Sequence, residues 1–128
     1  MTVVVDASVV VDSLLGTLAP GPRALIINER IATPDLMDVE VASALRGLWL
    51  GRRIDSARFQ ENVSDLGRFA TTRYSSHPLV PRALQLRHNL TVYDATYVAL
   101  AEVLECTLLT RDRRIAEAPG IQCAVEVI

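Results

Sequence analysis

The sequence contains no lysine, and all 13 of its basic residues are arginine. This absence excludes P-loop nucleoside triphosphatases, Schiff-base enzymes and phospho-receiver domains, because each of these classes depends on an active-site lysine. Long apolar runs are also missing, since no window approaches the roughly 18 uninterrupted apolar residues of a membrane span. The apolar start of the chain lacks a basic leader and is interrupted by Asp6, so we interpret it as a buried strand and not as a signal peptide. We therefore predict a cytoplasmic protein that makes no contact with a membrane.

Cysteine and histidine are scarce, with two residues of each type. Cys106 and Cys123 lie far apart without a CxxC motif or a nearby histidine, which supports neither a zinc site nor a redox motif. They are predicted to be ordinary buried thiols in a reducing compartment. His77 and His88 have no partner spacing for metal or triad chemistry, and we assign them a surface or capping role.

The length and composition indicate one globular domain that spans residues 1–128. The chain has 128 residues, half of them apolar, and 15 acidic residues against the 13 arginines give a net charge of −2. This length is typical of a single domain that folds without a disulfide or a metal. A near-neutral charge counts at first sight against nucleic acid, because phosphate binders usually carry a basic excess.

Short apolar runs alternate with helical patterns along the whole chain. The predicted strands are Thr2–Val5, Ile31–Thr33, Arg73–Ser75, Leu108–Thr110 and Cys123–Val127. The predicted helices are Ser8–Leu15, Arg23–Asn28, Asp35–Leu50, Asp55–Thr71, Pro78–His88, Val92–Glu105 and Arg113–Ala118. This alternation indicates an α/β fold in which helices cover both faces of a parallel sheet, and ligands of such sheets bind beyond the carboxyl ends of the strands.

Four carboxylates are predicted to meet at that edge. Asp6 directly follows a strand, and Asp112 follows another strand after one intervening residue. Asp94 lies in the first turn of its helix, and Glu40 lies in the second turn of its helix. Each aspartate has an alternative interpretation as a helix cap or as a favourable acid in a first turn. Glu40 has apolar neighbours at helical spacing, but so does Asp38, and the helical pattern does not choose between them.

A cluster of carboxylates requires a counter-charge, because like charges a few ångströms apart raise one another's pKa. Mg²⁺ or Mn²⁺ would supply that charge, since these ions prefer carboxylate and water oxygens. The chemistry of such a site is activation of water and displacement at phosphorus. The pattern therefore favours a metal-dependent phosphodiester hydrolase.

The segments that carry these acids resemble those of PIN-domain ribonucleases, specifically the VapC-type toxins of toxin–antitoxin pairs. The resemblance covers essentially the whole chain, and its motifs are VVVDAS at 3–8, PDLMDVEVASALR at 34–46, LTVYDATYVALAE at 90–102 and LLTRD at 108–112. It implies a three-layer α/β/α sandwich with a central parallel sheet and a Mg²⁺-dependent endoribonuclease site. Asp6, Glu40, Asp94 and Asp112 match the acidic positions of the family, whereas Asp38 does not.

In the family, these acids hold one or two cations, and a metal-bound water attacks an RNA phosphate. The resemblance also gives Ser8 and Thr110 the small hydroxyl positions beside the first and last acids, where they are candidates for supporting the acids. Ser43 departs from the family, which often has asparagine three residues after the glutamate. The family further implies a cognate antitoxin and a homodimer. The apolar residues of Ser8–Leu15 and Asp55–Thr71 are either surface for such partners or part of the core.

Arg111, Arg113 and Arg114 surround Asp112 and are candidates for binding RNA phosphates, although solvated surface arginines are the simpler alternative. Trp49 is interpreted as a core residue, with base stacking as the alternative. Apart from the four acids, eleven acidic residues face thirteen arginines, so the rest of the chain carries +2. The net charge therefore does not exclude RNA.

The sequence thus favours a toxin that cleaves RNA and is neutralised by an antitoxin. A catalytically silent PIN-like domain that binds RNA or protein is the alternative. The presence of all four acids counts against it, because a binding domain has no reason to keep a costly carboxylate cluster. A flap-type DNA nuclease would need insertions for which 128 residues leave no room. A phosphatase or receiver-like domain would need the missing lysine and an Asp-x-Asp pair.

Overall fold

A computed structural model of the protein describes residues 1–128. Its strands are β1 (Thr2–Val5), β2 (Arg30–Pro34), β3 (Thr72–Tyr74), β4 (Thr107–Thr110) and β5 (Val125–Val127). Its α-helices are α1 (Ala7–Leu15), α2 (Pro20–Asn28), α3 (Leu36–Leu50), α4 (Ser56–Arg68), α5 (Val80–Gln85), α6 (Val92–Leu104) and α7 (Arg113–Glu117). The strands and helices alternate along most of the chain, as the sequence predicts.

The five strands form one parallel sheet in the order β3-β2-β1-β4-β5. The central strand β1 pairs with β2 through Val4 and Ala32, and with β4 through Val4 and Leu108. Its run of valines suits this position, because a strand that is covered on both faces requires continuous β-branched residues. The predicted parallel sheet is therefore confirmed, and the carboxyl ends of β1 and β4 lie side by side.

Helices cover both faces of the sheet and complete the three-layer α/β/α sandwich. Helix α6 packs across β1, β2 and β4, with α5 against it, while α1, α3 and α4 pack on one another. The core is a single cluster of 25 buried apolar residues. Within it, residues 95–101 of α6 are all buried, which fixes this helix and the acid in its first turn against the sheet.

Side-chain caps begin four of the helices. The carboxylates of Asp6, Asp55 and Asp112 accept backbone N–H groups at the starts of α1, α4 and α7, and the Thr91 hydroxyl does so for α6. Such caps satisfy donors that have no partner within the helix. Asp6 and Asp112 therefore have the capping role of the alternative interpretation and also stand at strand ends.

Two helices end in the left-handed region. Helix α1 ends at Gly16 (φ 73°), a conformation that costs glycine little because it has no Cβ. Helix α6 ends at Glu105 (φ 51°), where a side chain is present and the conformation is strained. The chain then turns directly into β4.

Several predicted boundaries are wrong. Helix α4 ends at Arg68 and not at Thr71, because Phe69 adopts an extended conformation that leads into β3. The predicted helix Pro78–His88 is a 3₁₀ turn at His77–Leu79 followed by the short helix α5. Helix α2 begins at Pro20 instead of Arg23, since proline suits the first turn of a helix. Strand β5 begins two residues later than predicted, at Val125.

Trp49 is not a core residue, because 40% of its surface is exposed. Its indole Nε1 donates a hydrogen bond to the Ser56 hydroxyl at 3.0 Å, and its ring lies 5.7 Å from that of Phe59. Trp49 therefore joins the end of α3 to the start of α4. His77 and His88 are exposed, as predicted.

No helix taken singly has the length and hydropathy of a membrane span. Helices α1 and α2 reach that threshold only as a pair, and the chain bends by 103° between them.

Candidate active site

An open cavity of about 460 Å³ lies at the carboxyl ends of β1 and β4. Its lining residues are Asp6, Ala7, Ser8, Glu40, Asp94, Tyr97, Arg111 and Asp112. The structure thus brings together the four acids, although they are contributed by four separate segments of the chain. We call this cavity the acid pocket.

Asp38, which the helical pattern could not separate from Glu40, is not part of the acid pocket. Its carboxylate forms two hydrogen bonds with the Arg73 guanidinium, at 2.7 and 3.0 Å. Asp38 and Glu40 thus have different surroundings, and only Glu40 lines the acid pocket.

Asp6 is a buried carboxylate held by three donors. The Ser8 hydroxyl donates to its Oδ1 at 2.5 Å and the Val9 N–H at 3.2 Å, and the Thr110 hydroxyl donates to Oδ2. Burial raises the pKa of the Asp6 carboxyl, and these hydrogen bonds act in the opposite direction. The two hydroxyl residues expected beside the acids, Ser8 and Thr110, therefore both donate to the carboxylate of Asp6.

Thr110 also connects Asp6 with Asp112. Its hydroxyl oxygen accepts the backbone N–H of Asp112 at 2.9 Å while its proton goes to Asp6. The Asp112 carboxylate accepts two hydrogen bonds from the Arg114 guanidinium, at 2.7 and 3.0 Å, which hold the pKa of this carboxyl below its ordinary value. Asp112 is thus the one acid of the pocket that already has a cationic partner.

Glu40 accepts a hydrogen bond from the hydroxyl of Tyr97 at 2.7 Å. Burial raises the pKa of the Glu40 carboxyl, and the charges of Asp94 and Asp6 raise it further, whereas the Tyr97 hydroxyl lowers it. Sequence reasoning missed Tyr97, because a tyrosine within an apolar helix is typical of a core residue. Its spacing of three residues from Asp94 was the available signal, since this spacing places both on one face of α6.

Asp94 lies at the start of α6, where its backbone N–H donates to the Thr91 hydroxyl at 3.1 Å. Burial raises the pKa of the Asp94 carboxyl, and the charges of Asp6 and Asp112 add to this effect. A hydrogen bond from Thr91 and the charge of Arg114 act in the opposite direction. The acids of the pocket thus repel one another.

The donor set of the pocket suits a hard divalent cation. Asp6, Glu40 and Asp94 form no ion pair within the protein, so their negative charge is left without a balancing side chain. No three acids converge closely enough to ligate one ion directly. This spacing is compatible with Mg²⁺, which keeps several waters and takes only one or two carboxylates as direct ligands.

The three arginines near Asp112 differ in position. Arg111 lines the acid pocket and forms an ion pair with Asp12 at 3.0 Å. Arg114 is paired with Asp112, whereas Arg113 forms no ion pair. Arg111 is therefore the arginine that directly lines the pocket.

Comparisons with known proteins agree with this architecture. The family model of the PIN domain matches residues 3–121. The chain is 40% identical over 126 residues to VapC ribonuclease Mb0985 of Mycobacterium bovis, with 98% of each chain covered. It is 41% identical over 128 residues to ribonuclease VapC1 of Mycobacterium tuberculosis, covering 98% of this chain and 96% of the relative.

Solved structures share the fold. PAE2754 from Pyrobaculum aerophilum superposes with a TM-score of 0.76 at 24% identity, covering 99% of this chain and 84% of that protein. A chain of a toxin–antitoxin complex from Klebsiella pneumoniae superposes with a TM-score of 0.67 at 15% identity, covering 98% and 96%. Together with the acid pocket at the ends of the parallel strands, these matches identify the chain as a member of the PIN domain family.

Proposed function

We propose that this chain is a metal-dependent endoribonuclease that hydrolyses RNA phosphodiester bonds and acts as the toxin of a toxin–antitoxin pair. One observation carries the proposal: four carboxylates converge on one open cavity, in a chain that is 40% identical over 98% of its length to a VapC ribonuclease. Residues 1–128 would then form a single catalytic domain.

In this proposal Asp6, Glu40, Asp94 and Asp112 hold Mg²⁺ or Mn²⁺, directly or through water. The cation would neutralise the acids and lower the pKa of a bound water, which is the chemistry that phosphodiester hydrolysis requires.

The protein itself orients the acids. Three donors fix the Asp6 carboxylate, and Tyr97 occupies Oε1 of Glu40 while Oε2 has no donor from the protein. Glu40 Oε2 is thus available to accept a proton from the attacking water. Ser8 and Thr110 serve as positioning residues for Asp6.

The RNA phosphates would be bound by Arg111, Arg113 and Arg114. Arg111 borders the acid pocket, and the guanidinium of Arg114 is 87% exposed beside Asp112. A guanidinium can bind a phosphate through two parallel hydrogen bonds, so arginines at the rim would place the scissile phosphate above the acids.

The test compares Glu40→Gln with Asp38→Asn, two neutralised acids of the same helix, in cleavage of end-labelled cellular RNA with Mg²⁺ or with EDTA. We expect Glu40→Gln and Asp94→Asn to lose cleavage by about 100-fold or more, as is typical when a group that acts on the reacting atoms is removed. Asp38→Asn should cleave like the wild type, because Asp38 lies outside the acid pocket.

Cleavage that persists in EDTA, or full activity in Glu40→Gln, would contradict the proposed mechanism. RNA binding without cleavage in Mg²⁺ or in Mn²⁺ would instead favour the alternative, a catalytically silent binding module.

The antitoxin and the homodimer belong to the same proposal. Several large apolar residues are exposed on the helices, among them Ile27, Val39 and Val103, and a bound partner could cover them. We predict a short reading frame beside this gene, and co-expression with its product is expected to yield a stable complex and to relieve growth arrest. Light scattering of the Asp94→Asn variant, which should not arrest growth if the proposed activity is lost, would give the oligomeric state of the free chain. A free chain that is monomeric and forms no complex with the neighbouring protein would contradict both the homodimer and the antitoxin interaction.

A further inference from the structure

A second cavity, of about 720 Å³, lies at the opposite end of the sheet from the acid pocket. It is lined by residues at the amino ends of β1 and β4, by the end of α6 and by the segment before β5. Both cysteines of the protein, Cys106 and Cys123, line it. We call it the thiol cavity.

The pairing of β4 with β5 brings the two cysteines to the same end of adjacent strands. In the pairing of β4 with β5, Leu108 lies opposite Val125, and the Leu108 N–H donates to the Ala124 carbonyl at 2.9 Å. Cys106 directly precedes β4 and Cys123 lies two residues before β5, so continuation of this register beyond the strand ends would place Cys106 opposite Cys123. Adjacent strands run about 4.8 Å apart, within the range of about 4.4–6.8 Å that disulfides span between Cα atoms.

The two cysteines also line the same cavity. Residues two positions apart in an extended segment point to the same side, so continued alternation would direct Cys106 to the side of Leu108 and Cys123 to the side of Val125. Both thiols are partly buried, each is unpaired, and each is close enough for the charge of Cys106 to raise the pKa of Cys123. The sequence separation of 17 residues and the lack of a CxxC motif concealed this proximity.

We propose that Cys106 and Cys123 form a disulfide within one chain when the protein meets a low-molecular-weight disulfide. The bond would link the segment before the edge strand β5 covalently to the residue before β4, beside the thiol cavity. The proposal concerns a modification site and does not depend on the nuclease function.

The reaction is a two-step thiol–disulfide exchange. One cysteine loses its proton, and its thiolate attacks the small disulfide, which forms a mixed disulfide and releases one small thiol. The second cysteine thiolate then attacks the protein sulfur of this mixed disulfide, which forms the Cys106–Cys123 bond and releases a second small thiol. Two electrons pass from the protein sulfurs to the small disulfide, and the two thiol protons end on the released thiols.

The surroundings make this exchange slow at neutral pH. Burial raises the pKa of Cys123 to about 11, with further contributions from the charges of Glu102 and Cys106, and burial also raises the pKa of Cys106. The other charged groups that line the cavity are Glu105 and the amino group of Met1. Arg82 pairs with Glu102 at 2.7 Å, and its charge acts in the opposite direction on the pKa of Cys123. Since the thiolate is the attacking species, the rate is expected to rise about tenfold per pH unit below these pKa values.

The test treats the full chain with excess oxidised glutathione and follows the intact mass under non-reducing conditions. The expected product is lighter than the reduced protein by two hydrogens, binds no glutathione and has no titratable thiol. A proteolytic map should contain one cross-linked pair of peptides that carry Cys106 and Cys123. Formation should be faster at about pH 9 than at about pH 7.

Cys106→Ser and Cys123→Ser are the matched controls, and each should stop at one bound glutathione. Two glutathiones on the wild type would overturn the proposal, because the thiols would then be too far apart to close the bond. A disulfide-linked dimer would also overturn the proposal, and so would two thiols that stay free at about pH 9.

Discussion

The carboxyls of Asp6, Glu40 and Asp94 share an electrostatic property that shapes both stability and activity. Burial raises the pKa of each, and for Glu40 and Asp94 neighbouring acids raise it further. An acid whose pKa is higher in the folded protein than in the unfolded chain opposes folding once it is ionised. The ionised carboxylates of the acid pocket thus lower the stability of the folded protein when no cation is bound.

Replacement of Asp94 by asparagine should therefore stabilise the protein in the absence of metal. Between the unfolded and folded pKa values, the folded protein keeps a proton that the unfolded chain has lost, so the free energy of unfolding falls as pH rises through this interval. In EDTA at about pH 7.5 we expect Asp94→Asn to gain about 1 kcal/mol, and less near pH 4, measured by denaturant unfolding.

Asp65→Asn is the control for this comparison, because Asp65 is paired with Arg68 on the surface. It should change the free energy of unfolding by less than about 1 kcal/mol and in the destabilising direction. A loss of stability in Asp94→Asn at both pH values would show that the ionised Asp94 carboxylate does not lower the free energy of unfolding.

Tyr97→Phe tests the hydrogen bond to Glu40 while it keeps the buried ring. Because the Tyr97 hydroxyl lowers the pKa of Glu40, its loss should raise that pKa and move the acidic limb of the cleavage profile to higher pH. We expect cleavage in Mg²⁺ to fall about tenfold, as is common when a partner of a ligating carboxylate is removed.

Tyr93→Phe is the matched control for this variant. Tyr93 is 63% exposed on the same helix and forms no side-chain hydrogen bond, so this variant should cleave like the wild type. An unaltered pH profile in Tyr97→Phe would show that the Tyr97 hydroxyl does not control the protonation of Glu40.

At this scale the sequence predicted acids better than their partners. Asp6 and Asp112 stand out because each follows a short apolar strand, which fixes their location before any contact is known. The partners are set by tertiary packing: Tyr97 meets a glutamate 57 positions away, and Thr110 meets an aspartate 104 positions away. No local pattern encodes contacts over such separations.

Among the elements, the ends of α1 and α6 form a natural comparison. Both end in the left-handed region, at Gly16 and at Glu105. Glu105→Gly should raise the free energy of unfolding by up to about 1 kcal/mol, because the strain of a side chain in this conformation is relieved. Gly16→Ala should lower it by about 1 kcal/mol, although a Cβ at Gly16 would meet no atom within 4 Å. Denaturant titrations of both variants measure these changes. If both variants changed the free energy of unfolding in the same direction, the backbone conformation would not be the cause.

Helix α4 contains a buried polar group without a partner. The Nδ2 of Asn62 forms no hydrogen bond, and only 1% of the residue is exposed. Asn62→Ala should change stability by less than about 1 kcal/mol, because the lost packing is offset by removal of a desolvated amide. Leu66→Ala, one turn later and also buried, should cost about 2–4 kcal/mol. A large loss in Asn62→Ala, measured by thermal unfolding, would mean that the amide is satisfied in solution.

Helix ends were less predictable than helices. The apolar repeat of α4 continues through Ala70, so periodicity alone extends the helix to Thr71. The end at Arg68 arises because the next residues must reach the sheet, where Thr72 pairs beside Ala32. Similarly, the division of Pro78–His88 into a 3₁₀ turn and α5 reflects packing against α6, which no local pattern reports.

In the whole molecule, a parallel sheet places its two cavities at opposite ends of the same strands. Strand β1 runs from Thr2 at the thiol cavity to Val5 beside the acid pocket, a length of about 13 Å for four residues. Oxidation of the cysteine pair should therefore leave cleavage within about twofold of the reduced protein, because no acid or its partners need to move. Parallel cleavage assays of the oxidised wild type and of Cys106→Ser check this independence. A tenfold loss confined to the oxidised wild type would indicate that the two ends of the sheet are coupled.

The fluorescence of Trp49 reports on the contact between α3 and α4, because its indole is hydrogen-bonded to Ser56. Trp49 is the only tryptophan of the chain, and it bridges α3 and α4 away from both the acid pocket and the thiol cavity. Its emission therefore reports the separation of these two helices, while circular dichroism reports all seven. If α3 and α4 separate before the other helices unfold, the emission maximum will shift to longer wavelength at a lower denaturant concentration than that at which the ellipticity is lost.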